Sequence, residues 1–155
     1  MERYKKRATP NLFINMAKDF NFRLEPFIFL YITEKCQLRC RHCYMGDRLY
    51  HPQEMSYGQI EEILRYFKTI GHYKLYLLGG EPLLHPKIKE IILLANKIGY
   101  EVVLTSNGQF DKKIFKEFSP DMIHSFSFSF DSCDEAIHDQ IRGKGTFRRL
   151  VQNVK

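Results

Sequence analysis

Apolar runs in this sequence are short. Segments such as Ile91-Ile-Leu-Leu-Ala95 fall far below the roughly 20 residues that span a bilayer, and the N-terminus has no hydrophobic signal core. No membrane association is expected, and the cytoplasm is the default compartment. Cysteine is scarce: there are four, three in one short run and the fourth, Cys133, far away. That arrangement suits metal binding in a reducing compartment better than a framework of paired disulfides. Tryptophan is absent, so thirteen Phe and nine Tyr supply the large apolar side chains. The net charge of +6 gathers partly in Arg3, Lys5, Lys6 and Arg7 and in Arg142, Lys144, Arg148 and Arg149, with no aromatic-interleaved basic motif beside it. A nucleic-acid partner is therefore not expected, and the charge is compatible with an anionic cofactor or a peptide.

What is present suffices for a core: 155 residues, 44% hydrophobic and 14% aromatic, about one domain's worth. Residues 1–25 mix basic side chains with Leu12, Phe13, Met16, Ala17 and Phe20 on roughly one helical face and read as a lead-in helix. Glu2 and Asp19 weaken the competing reading of a membrane-surface or transit segment. From residue 26 onward, strand-like and helix-like segments alternate. Phe27 to Ile32 is a continuous apolar run, as expected for a strand covered on both faces. Ser56 opens a Ser-x-x-Gln capping pattern ahead of Ile60, Ile63, Leu64 and Phe67 at helical spacing, with Gly71 placed to end the helix. Lys74 to Leu78 is a second strand, and Pro86 opens a second helix carrying Ile88, Ile91, Ile92 and Ala95, stopped by Gly99.

Glu101 to Thr105 reads as a third strand and Asp111 to Phe118 as a short third helix. Ser125-Phe-Ser-Phe-Ser-Phe130 alternates strictly, which sends its serines to one side and its phenylalanines to the other. In a curved parallel sheet the phenylalanines would lie under helices and the serines would face the hollow. A half-exposed edge strand is the other reading. Ser132-Cys-Asp-Glu135 forms a capping box, and Phe147, Leu150, Val151 and Val154 follow Thr146 at helical spacing. The expected architecture is α/β, a (βα)4 portion of a partial parallel β/α barrel over residues 26–155. Four strands are too few to close a barrel, so we expect the chain to be the truncated front of a longer protein or a domain whose open edge something else covers.

The chemistry-bearing residues fall at the ends of these strands. Cys36-Gln-Leu-Arg-Cys40-Arg-His-Cys43-Tyr44 follows the first. Three thiolates in one loop make a metal site one ligand short. An iron–sulfur cubane held this way keeps one iron open. Structural zinc would need a fourth ligand from His42, His51 or Cys133, and His42 sits between two cysteines, where simultaneous ligation would strain the loop. Gly79-Gly80-Glu81-Pro82 follows the second strand; two glycines allow a ligand to approach the backbone, although a tight turn needing positive φ explains them as well. Thr105-Ser106-Asn107-Gly108 follows the third strand, and Ser129-Phe-Asp131-Ser132 ends the fourth, with Arg142-Gly143 beyond it. Arg142 taken alone reads as a surface arginine. Together these clusters occupy the side on which parallel α/β proteins place their active sites.

From about Phe27 to Gly145 this conjunction resembles the radical S-adenosylmethionine superfamily, in both its motifs and their order. The resemblance implies that Cys36, Cys40 and Cys43 bind a [4Fe–4S] cluster whose fourth iron chelates the amino and carboxylate groups of S-adenosylmethionine. It places His42 where backbone contacts adenine, and Gly79, Gly80 and Glu81 against the methionyl ammonium. Ser129 and Arg142 resemble residues that hold the carboxylate or ribose, while Ser106 and Asn107 match a loop lining the pocket. The implied reaction is reductive cleavage to a 5′-deoxyadenosyl radical that abstracts hydrogen, fed by an electron donor such as a flavodoxin or ferredoxin. Family members usually continue through two further βα units, and many add a cysteine-rich C-terminal domain; neither occurs in these residues. The stretch Ser129-Phe-Asp131-Ser132, with Ile137-His138 and Ile141-Arg-Gly143, resembles the SPASM-type branch that modifies peptide or protein side chains. Haem and other cofactor maturases, acting on small molecules, share the pattern. A non-catalytic zinc or iron–sulfur module is the alternative.

Overall fold

Side-chain alternation decides how the first strand is used. In the computed structural model, which describes residues 26–155, β1 (Phe27–Thr33) buries Leu30 and Ile32 and leaves Phe27, Phe29 and Tyr31 46%, 55% and 47% exposed. The strand expected to be covered on both faces is thus covered on one among the described residues. The lead-in helix expected over residues 1–25 lies outside them. β2 (Lys74–Gly79), β3 (Glu101–Ser106) and β4 (Ser125–Phe128) follow in the order β1-β2-β3-β4, every neighbouring pair parallel. This is the expected α/β arrangement of strands alternating with helices, a partial (βα) barrel.

The helices cover one face. α1 (Tyr57–Thr69) begins at a full capping box: the Ser56 hydroxyl accepts from Gln59 N, and the Gln59 side chain accepts from Ser56 N. It buries Ile60 and Leu64. α2 (Ile88–Ile98) buries Ile88, Ile91, Ile92, Leu94 and Ala95, and it stops at Gly99, whose φ of 90° is open to glycine at little cost. These side chains meet Leu30, Ile32, Leu75, Leu77, Val102 and Leu104 in one aliphatic core, with Phe126 and Phe128 packed against it. The β4 phenylalanines therefore lie on the helix side, and Ser125 and Ser127 are exposed on the other.

Local expectations change at helix starts: Pro86 precedes the second helix instead of opening it, the helix beginning at Ile88 after its N-cap Lys87. The segment Lys112–Glu117 is a 3-10 helix rather than an α-helix: Ile114 N bonds to Asp111 O, and the Asp111 carboxylate takes Lys113 N, so the tighter turn satisfies the early N–H groups. α3 (Glu135–Arg142) is capped by Asp134, whose carboxylate accepts from Ala136 N and Ile137 N, instead of by Ser132. The N-cap of α4 (Thr146–Val154) is Gly145, with no cap bond of its own; Asp139, reaching across from α3, accepts from Gly145 N at 2.5 Å and Phe147 N at 2.9 Å. No helix among the described residues is long and apolar enough to cross a membrane.

Candidate functional site

The chain leaving β1 crosses directly over the end of β2. Gly80 N donates to Thr33 O at 2.8 Å and Glu81 N to Lys35 O at 2.8 Å. A Cβ on Gly79 would strike the Thr33 carbonyl oxygen, and one on Gly80 would strike the carbonyl oxygens of Glu34 and Lys35. Neither glycine has positive φ. The glycine pair is thus demanded by two backbones in contact, a reason neither reading of the motif had included. The same crossing brings the cysteine loop beside the glycines, where Tyr44 donates its hydroxyl proton to Gly79 O at 3.2 Å. Partial desolvation in this contact, reinforced by neighbouring Tyr31, pushes that hydroxyl up to about 12, although the ring itself is largely exposed.

Arg39 shapes the cysteine loop from within. One nitrogen donates to Cys36 O and Leu38 O at 2.8 Å each, the other to Leu49 O at 3.2 Å, and its guanidinium lies 5.7 Å from the Tyr50 ring centroid. Cys43 N bonds back to Cys40 O at 3.1 Å, and Arg41 N reaches Ile141 O at 2.9 Å, tying the loop to the last turn of α3. Nothing in the spacing of the sequence marked Arg39 for this role.

Cys36, Cys40 and Cys43 then line one cleft with His42, Gly79, Gly80, Ser106, Asn107, Ser129 and Arg142; Tyr31, Tyr44 and Leu78 complete much of its wall. Glu81 alone of the expected site residues stands behind this surface. It is buried, and its carboxylate accepts from Asn107 N at 2.8 Å and Leu83 N at 3.3 Å. Burial pushes the carboxyl up despite those bonds. Arg142 is not an ordinary surface arginine: its side chain is 11% exposed and grips Asp131 through Nε–Oδ2 at 2.5 Å and Nη2–Oδ1 at 3.2 Å. The bond to Arg142 holds Asp131 below the usual carboxylate range. His42 Nε2 lies 3.9 Å from the same carboxylate. Asp131 was legible as a motif member but not as the partner of Arg142. His138 is wholly buried beside Phe130 and Phe147 and packs as a ring, with burial pushing it down toward the neutral form.

The donor set has the chemistry of a cluster site. Burial raises the Cys36 and Cys40 thiols, and their sulfur neighbours raise them further, Cys43 acting on both and Cys36 on Cys40. Ionising Cys36 and Cys40 is therefore costly unless a cationic iron–sulfur core lies beside them. Among the described residues no three His, Cys, Asp or Glu side chains converge at the distances of a single ion, and Cys133 is exposed outside the cleft. Three cysteines lining one cleft are a donor set that a cubane, whose cysteines sit on separate irons, can use.

Known proteins are similar to this chain in sequence and in fold. A probable GTP 3',8-cyclase of Archaeoglobus fulgidus is 31% identical over 140 residues, which are 90% of this chain and 47% of that protein. An S-adenosylmethionine-dependent nucleotide dehydratase of a Thermoplasmatales archaeon is 32% identical over 117 residues, 75% of this chain and 42% of that protein. The chain thus spans under half the length of these relatives. Among solved structures, Streptococcus suis SuiB bound to S-adenosylmethionine superposes with a TM-score of 0.70 at 20% identity, covering 94% of this chain and 34% of SuiB, a likeness of fold. The model of the Radical SAM superfamily matches residues 30–155, nearly all of the described chain, and with cysteine loop, glycine crossing and strand order all in place, this chain belongs to that superfamily.

Proposed function

We propose that this chain is the cofactor-binding part of a radical S-adenosylmethionine enzyme, with Cys36, Cys40 and Cys43 holding a [4Fe–4S] cluster. The observation that carries this reading is the convergence of three thiols with Gly79, Gly80, Ser129 and Arg142 on a single cleft at the C-terminal ends of parallel strands. When bound, the cluster supplies one electron and S-adenosylmethionine the adenosyl radical that takes a hydrogen atom from the substrate. The protein's part is to bind and aim. Gly79 and Gly80 bring bare backbone to the cleft, where the methionyl ammonium can meet a carbonyl. The Asp131 carboxylate fixes the Arg142 guanidinium, which can hold a carboxylate or ribose hydroxyl without swinging away. His42 and Ser129 offer the remaining polar contacts. Glu81 supports this surface from behind through Asn107.

For the substrate, a nucleotide is the reading that the relatives at 31% and 32% identity support, since their names specify GTP and a nucleotide. A peptide or protein side chain, as in the SPASM-type branch, draws support from the Ser-Phe-Asp-Ser stretch and the open, aromatic concave face. Haem and cofactor maturation stands behind both. The electron donor would be a flavodoxin or ferredoxin, and the cytoplasm the compartment. Anaerobic reconstitution should yield brown protein with about four irons, and S-adenosylmethionine should change the reduced cluster's electron paramagnetic resonance signal. Cys40→Ala should lose the cluster, while Cys133→Ala should retain it. A colourless protein holding one tight zinc would end this reading. With the cluster loaded, GTP-dependent rather than peptide-dependent formation of 5′-deoxyadenosine would select between the substrate classes.

A further inference from the structure

We infer that Asn107 is a positioning residue for Cys36, donating a side-chain N–H to its sulfur and so raising the reduction potential of the cluster that this thiolate would hold; the inference rests on the iron–sulfur reading above. The orientation of the amide follows from its neighbours. Gln109 N can only donate, so the Asn107 atom 2.9 Å from it is Oδ1. Nδ2 must then lie on the other side, where it is 3.5 Å from Cys36 Sγ and 3.3 Å from Gln37 Oε1. The Gln37 amide is set by the same logic: Gln109 O can only accept, so the atom 2.9 Å from it is Nε2, leaving Oε1 for Asn107. Two amides anchored independently to one backbone residue agree on which way the Asn107 donor points.

Its backbone is pinned as well. Asn107 N donates to Glu81 Oε2 at 2.8 Å, and the next N–H, of Gly108, meets Ser106 Oγ at 3.1 Å. Asn107 is 6% exposed, so water competes little for the amide. Leu38 N, 3.4 Å from Cys36 Sγ, adds a second donor from within the loop. A donor aimed at a cluster sulfur favours the more electron-rich reduced form, and such bonds are among the determinants of iron–sulfur potentials. Through this residue the Gly-Gly-Glu turn and the cysteine loop, 26 and 71 positions away in sequence, become one unit.

The test compares reconstituted wild-type chain with Asn107→Ala and Asn107→Asp by redox titration followed by electron paramagnetic resonance, with iron content measured on each sample. Asp keeps the acceptor for Gln109 N and lacks the donor for sulfur, which separates the turn from the sulfur bond. Both variants should retain wild-type iron and shift to lower potential, the ratio of reduced to oxidised cluster at a fixed potential falling about fivefold in Asn107→Ala, the worth of one hydrogen bond, and further in Asn107→Asp, whose carboxylate adds negative charge. An unshifted potential in either iron-loaded variant overturns the inference, and loss of iron from both does so too, by making Asn107 a fold residue. Absence of a cluster from the wild type would instead strike the functional reading itself.

Discussion

On the helix-covered face of the sheet, Leu30, Ile32, Leu75, Leu77, Val102 and Leu104 are sealed in an aliphatic core, whereas on the opposite face Phe27, Phe29 and Tyr31 keep about half their surface exposed. Within β1 the two sets alternate, Leu30 and Ile32 on the core side and Phe27, Phe29 and Tyr31 on the other. On the core side, stability follows from area removed from water and from close packing. The concave side is graded instead: Phe27, Phe29 and Tyr76 make an aromatic cluster with centroids 4.9 to 5.7 Å apart, and the far edge presents Ser125 and Ser127. That side buries less of its apolar surface than the core does. The contrast teaches that hydrophobicity alone does not tell a core residue from a residue facing the hollow.

The sharpest break in this comparison is Leu77→Ala, a fully buried core position, where we expect a loss of about 2–5 kcal/mol in denaturant unfolding. Next comes Gly80→Ala, whose methyl meets two backbone carbonyl oxygens; a cost of about 1–3 kcal/mol is expected, together with weaker cluster loading because the cysteine loop is displaced. Retained stability in Gly80→Ala would show that the crossing is slack.

The carboxylates of Glu81, behind the cleft, and of Asp131, paired with Arg142, should respond oppositely to pH. Glu81 is raised by burial, so the folded state holds its proton longer, and its contribution to stability falls as pH rises through and above the ordinary carboxylate range. Asp131 is lowered by its bond to Arg142, so its contribution is present above its unfolded pKa and fades as pH falls through its folded value. Unfolding curves of Glu81→Gln and Asp131→Asn between pH 3 and 7, roughly the span in which carboxylates titrate, should differ from wild type with opposite slopes. Slopes of one sign would refute the assignment. The smallest effect is expected for Phe29→Ala on the concave side, about 1 kcal/mol or less, from its ring contacts with Phe27 and Tyr76. A loss as large as that of Leu77→Ala would erase the distinction between the faces.

Much of the fold was readable because its signals are local. The Ser56 capping box, the helical spacing of Ile60 and Leu64 and the Gly99 stop appear in the structure as read, while the alternating strand read over Ser125 to Phe130 ends at Phe128 and leaves Phe130 exposed. The failures have equally local causes. Phe27, Phe29 and Tyr31 made a run with no polar residue to reveal its exposed side, and Ser132 and Asp134 competed to cap one helix, the carboxylate prevailing. Within the site, the cysteines and the turns at strand ends were legible from residue type and position. The inward turn of Glu81 and the Asp131 grip on Arg142 were not, because a side chain's direction depends on neighbours brought near by folding.

By itself the sequence determined the alternation of strands and helices, the three thiols in one loop, and the order of polar turns at strand ends, since periodicity, capping and ligand spacing act over a few residues. Only the tertiary structure decided why Gly79 and Gly80 must be glycine, which face of β1 is dry, and which donor meets Cys36. Those outcomes depend on backbones and amides far apart in the chain coming within a few ångströms of each other, and no local pattern encodes such a distance.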